Sequence, residues 1–238
     1  YRGNLYLSIF CEAGNSFMIS YAGELIKKGV KNAIFDIDNT ITKSNIVDFY
    51  LFMKSKHLTN KWRYYLWFGT FLFTIPVYLI LDFFNRGWFA KMFVNRLSMF
   101  SKKDLEQGAK DFFEEKLKSR FIKQVHDMVF FFKDNGVNVY LLSCTIEPIV
   151  KCYGEYFEVP YRCIGVLEKD DKIKVDLSNF RNFKGDFVYN FDPNCTVTIA
   201  DSKHDIPILK YSRYSIIVSN NGIKRWMKGL KNSIIVKC

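Results

Sequence analysis

Ala33-Ile34-Phe35, Val137–Leu142, Thr196–Ala200 and Tyr214–Ser219 are short runs of apolar and β-forming residues with almost nothing polar to turn toward water. Strands of that kind need cover on both sides, as in a parallel sheet packed between helices. Helical signals separate them. Ser16 to Lys28 reads as a helix stopped by Gly29. Phe121, Ile122, Val125, Val129 and Phe130 fall at helical spacing in a helix from Phe121 to Asn135, ahead of Gly136. Glu147 to Tyr156 and Ile206 to Tyr211 supply two more helices;. The alternation predicts an α/β domain with a mainly parallel sheet. Tyr161–Leu167 and Lys172–Leu177 flank a polar turn and read as a hairpin;. A further apolar run, Leu5–Phe10, precedes the first helix.

Residues 45–120 do not follow the alternation; they are hydrophobic or helical throughout. They read as an insertion between the first and second core strands. The chain then divides into an N-terminal extension (1–30) of no assigned role, a core (31–44 and 121–238) and a helical cap (45–120). A length of 238 residues suits one domain carrying such an insertion;. With 49% apolar and 25% charged residues, the composition excludes a disordered chain;. The net charge of +11 favours anionic partners: phosphorylated metabolites, anionic lipid surfaces or nucleic acid;. No basic stripe with interleaved aromatics marks a nucleic-acid platform, so no specific nucleic-acid partner is expected. The six cysteines form no C-x-x-C pair and the three histidines do not cluster with them, which argues against a zinc site;. A chain of this length needs no disulfide staples, so free thiols in a reducing, cytoplasmic compartment are expected.

Chemistry concentrates where the strands end. Asp36-Ile37-Asp38-Asn39-Thr40 follows the buried run 33–35 directly, putting two carboxylates at the carboxyl edge of the sheet, where open α/β folds bind ligands;. Ser143 follows Val137–Leu142, and its hydroxyl, with the free N–H groups of a strand-to-helix junction, makes a phosphate cradle;. Asp201 and Asp205 follow Thr196–Ala200 as a second acidic pair. Lys184 lies ahead of that strand.

These four segments, in this order, resemble the motifs of the haloacid dehalogenase-like phosphohydrolases, from Ile34 to Ser219. The insertion after the first motif is similar to the cap of the phosphoserine-phosphatase-like branch. The resemblance implies a Rossmann-like core under a helical cap, and hydrolysis of a phosphomonoester. Asp36 would be the nucleophile, carrying the phosphoryl group as an aspartyl phosphate. Asp38 would protonate the leaving oxygen and later deprotonate the attacking water. Mg²⁺ would be held by Asp36, the backbone carbonyl of Asp38 and Asp201, with Asp205 supporting that site from behind or through a water. Ser143 and Lys184 would hold the phosphoryl oxygens, with Lys172 and Lys174 as rival candidates for the lysine. A non-catalytic module of the same fold, binding phosphorylated ligands or tethering a partner, is the alternative from another class.

The insertion bears on the substrate. Tyr64 to Leu81 is 18 residues without a charge, preceded by Lys61 and Arg63 and followed by Asp82 and Arg86. That length reaches the lower limit for crossing a bilayer, while Pro76 argues for a kinked or re-entrant segment in one leaflet;. A membrane-surface contact is expected, on the cytoplasmic face, with Leu72, Ile75 and Leu79 among the residues carrying it. The resemblance also implies a glutamate gripping a substrate ammonium at the position where Asn45 stands, with Asp48 the nearest carboxylate. A neutral amide cannot form that ion pair, so a lipid-borne phosphate is expected ahead of a soluble metabolite.

Overall fold

Met18, Ala22 and Leu25, at helical spacing, give α1 (Asn15–Lys27) one buried face, which packs on the sheet's helical layer. Gly29, at φ +90°, takes the chain off the helix in the left-handed region that glycine tolerates, and the Val30 N–H donates to the Leu25 carbonyl at 3.1 Å;. β1 (Asn32–Asp36) follows at once. The computed structural model describes residues 15–58, 60–84, 86–167, 173–175, 182–219, 222–230 and 233–237. The apolar run Leu5–Phe10 lies outside them.

From β1 the chain enters four helices: α2 (Ile46–His57), α3 (Lys61–Phe84), α4 (Arg86–Leu97) and α5 (Lys102–Phe112). A π-helical turn at Phe113–Leu117 and a 3₁₀ turn at Lys118–Arg120 bring it back. The core resumes with α6 (Lys123–Asp134), β2 (Asn138–Ile146), α7 (Glu147–Phe157), β3 (Tyr161–Leu167) and β4 (Ile173–Val175). It continues with α8 (Phe183–Val188), β5 (Thr196–Ala200), α9 (Ile206–Tyr211), β6 (Tyr214–Ser219) and β7 (Ser233–Lys237).

The sheet order is β4-β3-β2-β1-β5-β6-β7. Six strands run parallel, and β4 pairs antiparallel with β3 as the hairpin reading expects. β1 is central, with β2 on one side and β5 on the other, so Ala33, Ile34 and Phe35 are covered on both faces;. The chain leaves β1 toward β2 and β3, then crosses back to β5. This reversal makes the carboxyl end of β1 the switch point at which such sheets bind ligands.

Three sequence expectations shift. The long helix before β2 starts at Lys123 rather than Phe121, because Phe121 is taken up in a bridge to Thr42. β2 runs on through Ser143, Cys144 and Thr145 to Ile146, with an irregularity in its pairing to β3 between Ser143 and Ile146. Residues 15–27, read as part of an extension, belong to the core: α1 lies against α6. Among the described residues, Cys144, Cys152, Cys163 and Cys195 form no disulfide.

Aromatic rings fill the inserted helices. Tyr50 of α2 lies 5.7–5.9 Å from the rings of Trp67, Phe71 and Phe93, and Tyr78 lies 5.0 Å from Phe93;. The cap joins the core through two strands of backbone that bond to each other. The Lys43 N–H donates to the Arg120 carbonyl at 3.0 Å, and the Ile122 N–H to the Ile41 carbonyl at 2.8 Å. α4 packs against β2 and β4, on the side of the sheet's carboxyl edge. α3 is continuous through Pro76, and among the described residues no helix is long and apolar enough to cross a membrane. The spanning form of the membrane expectation is therefore corrected.

One glycine is held by close packing. A Cβ on Gly154 of α7 would sit 2.4 Å from Cδ1 of Tyr161 and 3.2 Å from the Val159 carbonyl oxygen. Glycine to alanine inside a helix ordinarily stabilises by about 1 kcal/mol. Here overpacking dominates, and Gly154→Ala is expected to destabilise by about 1–3 kcal/mol. Chemical denaturation reads the sign, and a stabilised variant would sink the packing argument.

Candidate active site

Asp36 is the last residue of β1 and is 5% exposed. The chain turns sharply after it: the Thr40 and Ile41 N–H groups both donate to the Ile37 carbonyl, and Asn39 adopts φ +56°. That left-handed position suits asparagine better than most residues. The turn brings Thr40 Oγ1 back to donate to Asp36 Oδ2 at 3.1 Å. The motif thus carries an orienting hydroxyl four residues after the first carboxylate. The signal for this contact in the sequence is the spacing of four residues between Asp36 and Thr40.

Asp38 points elsewhere. Its Oδ2 accepts from Ser143 Oγ at 3.1 Å, and Ser143 Oγ in turn accepts from the Thr145 N–H at 3.1 Å. Ser143 is fully buried. The extension of β2 past residue 142 is what holds its hydroxyl against Asp38.

Lys184, in the first turn of α8, reaches across to the two buried carboxylates. Its ammonium donates to Asp36 Oδ1 at 2.6 Å and to Asp205 Oδ1 at 2.7 Å. Burial alone would push the lysine down; the charges of Asp205 and Asp36 overcome it and hold the ammonium well above the ordinary lysine range;. Lys172 and the side chain of Lys174 lie outside the described residues. Asp201 comes directly after β5, and Ser202 Oγ caps the following turn by accepting from the His204 N–H at 3.2 Å.

Asp36, Asp201 and Asp205 bring one ligand atom each to within 4.8 Å of one another. Asp205 is 2% exposed, and its Oδ2 has no hydrogen-bond partner. Buried unsatisfied oxygens are rare in folded proteins, and this one stands in a trio of hard anionic donors. The donor set fits Mg²⁺, which takes carboxylate oxygens and keeps waters in its remaining positions. The carboxylate of Asp38 is not in the trio.

Asn45 and Asp48 are both engaged at the start of α2. Asn45 Oδ1 accepts from the Val47 N–H at 2.8 Å. The Asp48 carboxylate accepts from the Asn45 N–H at 3.2 Å and from Ser44 Oγ at 3.0 Å, with Arg120 at 3.5 Å. This capping box uses the local side chains that would otherwise be available to a substrate ammonium.

The haloacid dehalogenase-like hydrolase family matches residues 33–210, three quarters of the chain and every segment just described. The chain belongs to the haloacid dehalogenase-like hydrolases. Solved structures share the fold of this haloacid dehalogenase-like hydrolase. A protein of unknown function from Bordetella pertussis Tohama I has a TM-score of 0.66 at 15% identity, over 87% of this chain and 98% of that one. A phosphoserine phosphohydrolase-like protein from Francisella tularensis subsp. tularensis SCHU S4 has a TM-score of 0.60 at 16% identity, over 86% and 94%. A phospho-aspartyl intermediate analogue of phosphoserine phosphatase has a TM-score of 0.56 at 16% identity, over 87% and 93%. Comparison with individually curated proteins finds no match.

Proposed function

We propose that this haloacid dehalogenase-like hydrolase cleaves phosphomonoesters through an aspartyl phosphate on Asp36, with Mg²⁺, and that its substrate phosphate is carried by a lipid. The observation carrying the first part is the pair of buried carboxylates, Asp36 and Asp205, sharing one ammonium beside Asp201. In this reading Asp36 attacks phosphorus, and the bond from its oxygen forms as the bond to the ester oxygen breaks. Asp38 gives its proton to the departing alcohol. It then takes a proton from water, whose oxygen attacks phosphorus; the bond to Asp36 breaks and inorganic phosphate leaves. Lys184 and Ser143 bind the phosphoryl oxygens, and Lys184 offsets repulsion between nucleophile and dianion. Asp36, Asp201 and the backbone carbonyl of Asp38 would hold Mg²⁺, supported by Asp205. When bound, the ion would supply positive charge to the phosphoryl oxygens.

The lipid part rests on the capping box at Asn45 and Asp48, which leaves that position without a free carboxylate for an ammonium, and on the apolar cap. A small soluble ester is the second reading, favoured by α4 lying against β2 and β4 over the carboxyl edge. The test compares a chromogenic phosphate ester, a lipid phosphomonoester dispersed in detergent and its water-soluble headgroup analogue. Hydrolysis of the chromogenic ester should stop with a chelator and return with Mg²⁺. Faster turnover of the soluble analogue than of the lipid would favour the second reading. Absence of hydrolysis in every arm would favour a binding module.

A further inference from the structure

α3 is apolar all round, and its two faces have different fates. Trp67, Phe71 and Tyr78 face inward and meet the rings of Tyr50 and Phe93 tilted or edge-on, at 5.0–5.9 Å between centroids. The opposite face carries Trp62, Leu66, Phe73, Val77 and Ile80, with spacings of four, seven, four and three residues that keep one side of a helix in register;. All five are exposed, from 52% at Val77 to 86% at Phe73. The stripe runs for roughly 27 Å at 1.5 Å per residue. Monomeric proteins rarely present so continuous an apolar surface without a partner for it.

We propose that this outer face of α3 lies in the plane of an anionic lipid leaflet. The proposal concerns the cap's surface and holds whatever the chemistry beneath it. Three observations choose a leaflet over other occupants. First, Lys61 and Arg63 are exposed on either side of Trp62 at one end of the stripe, and the whole chain carries +11. Anionic headgroups complement that charge, whereas a second copy would bring an equal charge against it. Second, no charged residue interrupts Tyr64 to Leu81, so the face offers a protein partner no ionic register but suits hydrocarbon. Trp62 and Tyr65 are the residue types that settle at the headgroup boundary. Third, the inward rings clamp the helix along the cap, so it can lie on a bilayer but cannot turn to enter one end first. Ile75, expected from sequence to share the contact, packs against the buried aromatic cluster instead. The side chain of Leu79 lies outside the described residues.

The test uses the full chain and vesicles of phosphatidylcholine with and without phosphatidylserine. The protein should sediment with the serine-containing vesicles and much less with phosphatidylcholine alone. The triple variant Leu66→Ser, Phe73→Ser, Val77→Ser should lower the bound fraction at least about tenfold with an unchanged unfolding temperature, because all three side chains are exposed. A second measurement needs no core-neutral variant: brominated lipids should quench tryptophan fluorescence of the wild-type protein, and Trp62→Phe should remove much of that quenching. Failure to sediment, or absence of quenching, overturns the proposal. A wild-type dimer that the triple variant converts to monomer, with no vesicle binding, overturns it in favour of a second copy. Loss of phosphoester hydrolysis with vesicle binding intact would count against the proposed chemistry and leave the docking face standing.

Discussion

Asp36→Asn is expected to lower turnover of any phosphomonoester by about 10⁴-fold or more while leaving the fold intact. An amide has the shape of the carboxylate and still offers an oxygen to Thr40 Oγ1, which now donates at 3.1 Å. Lys184 keeps Asp205 as its ion partner at 2.7 Å. What disappears is the nucleophilic oxygen anion, so the deficit should appear in kcat and not be rescued by substrate concentration. Steady-state kinetics with a chromogenic ester, alongside thermal unfolding, reads both halves. Turnover within an order of magnitude of wild type would remove Asp36 from the nucleophile's position.

Lys184→Met should damage stability as well as turnover. The lysine side chain is 15% exposed and lies between carboxylates that are 6% and 3% exposed. Removing one partner of a buried ion cluster costs about 3–5 kcal/mol, because the charges left behind have neither water nor a counter-ion. For a chain of this size that corresponds to a fall in melting temperature on the order of 10 °C. Mg²⁺ should restore more of the loss in the variant than it adds to the wild type, since it would bring positive charge to the same carboxylates. The sign with pH follows from the raised lysine. A group whose folded pKa exceeds its unfolded value stabilises fully below the unfolded value and loses that contribution as pH rises through the folded one. Lys184 is held well above 10.5, so its contribution should be undiminished from neutral pH to about pH 10;. A variant as stable as wild type in a chelator would mean that the ammonium does not balance the carboxylates.

The strands were legible because each central one is a run with almost no polar face, and only a doubly covered parallel sheet accommodates such runs. Thr196–Ala200, Tyr214–Ser219 and the helix Ile206–Tyr211 have the bounds their residues predict. β7 had too little to announce it: Ile234, Ile235 and Val236 are buried, but three residues show no period. Asp36 and Asp201 could be placed at the sheet edge because one ends its strand and the other follows its strand without a gap. The reach of Lys184 could not be read, since a lysine's partner depends on how α8 folds back over the sheet. The orientation of α3 was hidden for a different reason. A helix apolar on every side has no amphipathic signal, so Ile75 and Phe73 look alike in sequence although one packs inward and the other meets solvent.

The paired backbones at Ile41–Lys43 and Arg120–Ile122 set how the two halves of the molecule can move. Ribbons bonded side by side bend and twist together, but sliding one past the other would break both bonds, at 3.0 and 2.8 Å. Any movement of α4 away from β2 and β4 is then a rotation about that ribbon, with its pivot a few residues from Asp36;. Residues near the pivot travel least and those at the far end of the helical insertion travel most. With α3 seated on a surface, the roles reverse: the insertion becomes the fixed frame, and the sheet, carrying its carboxylates, is the body that swings.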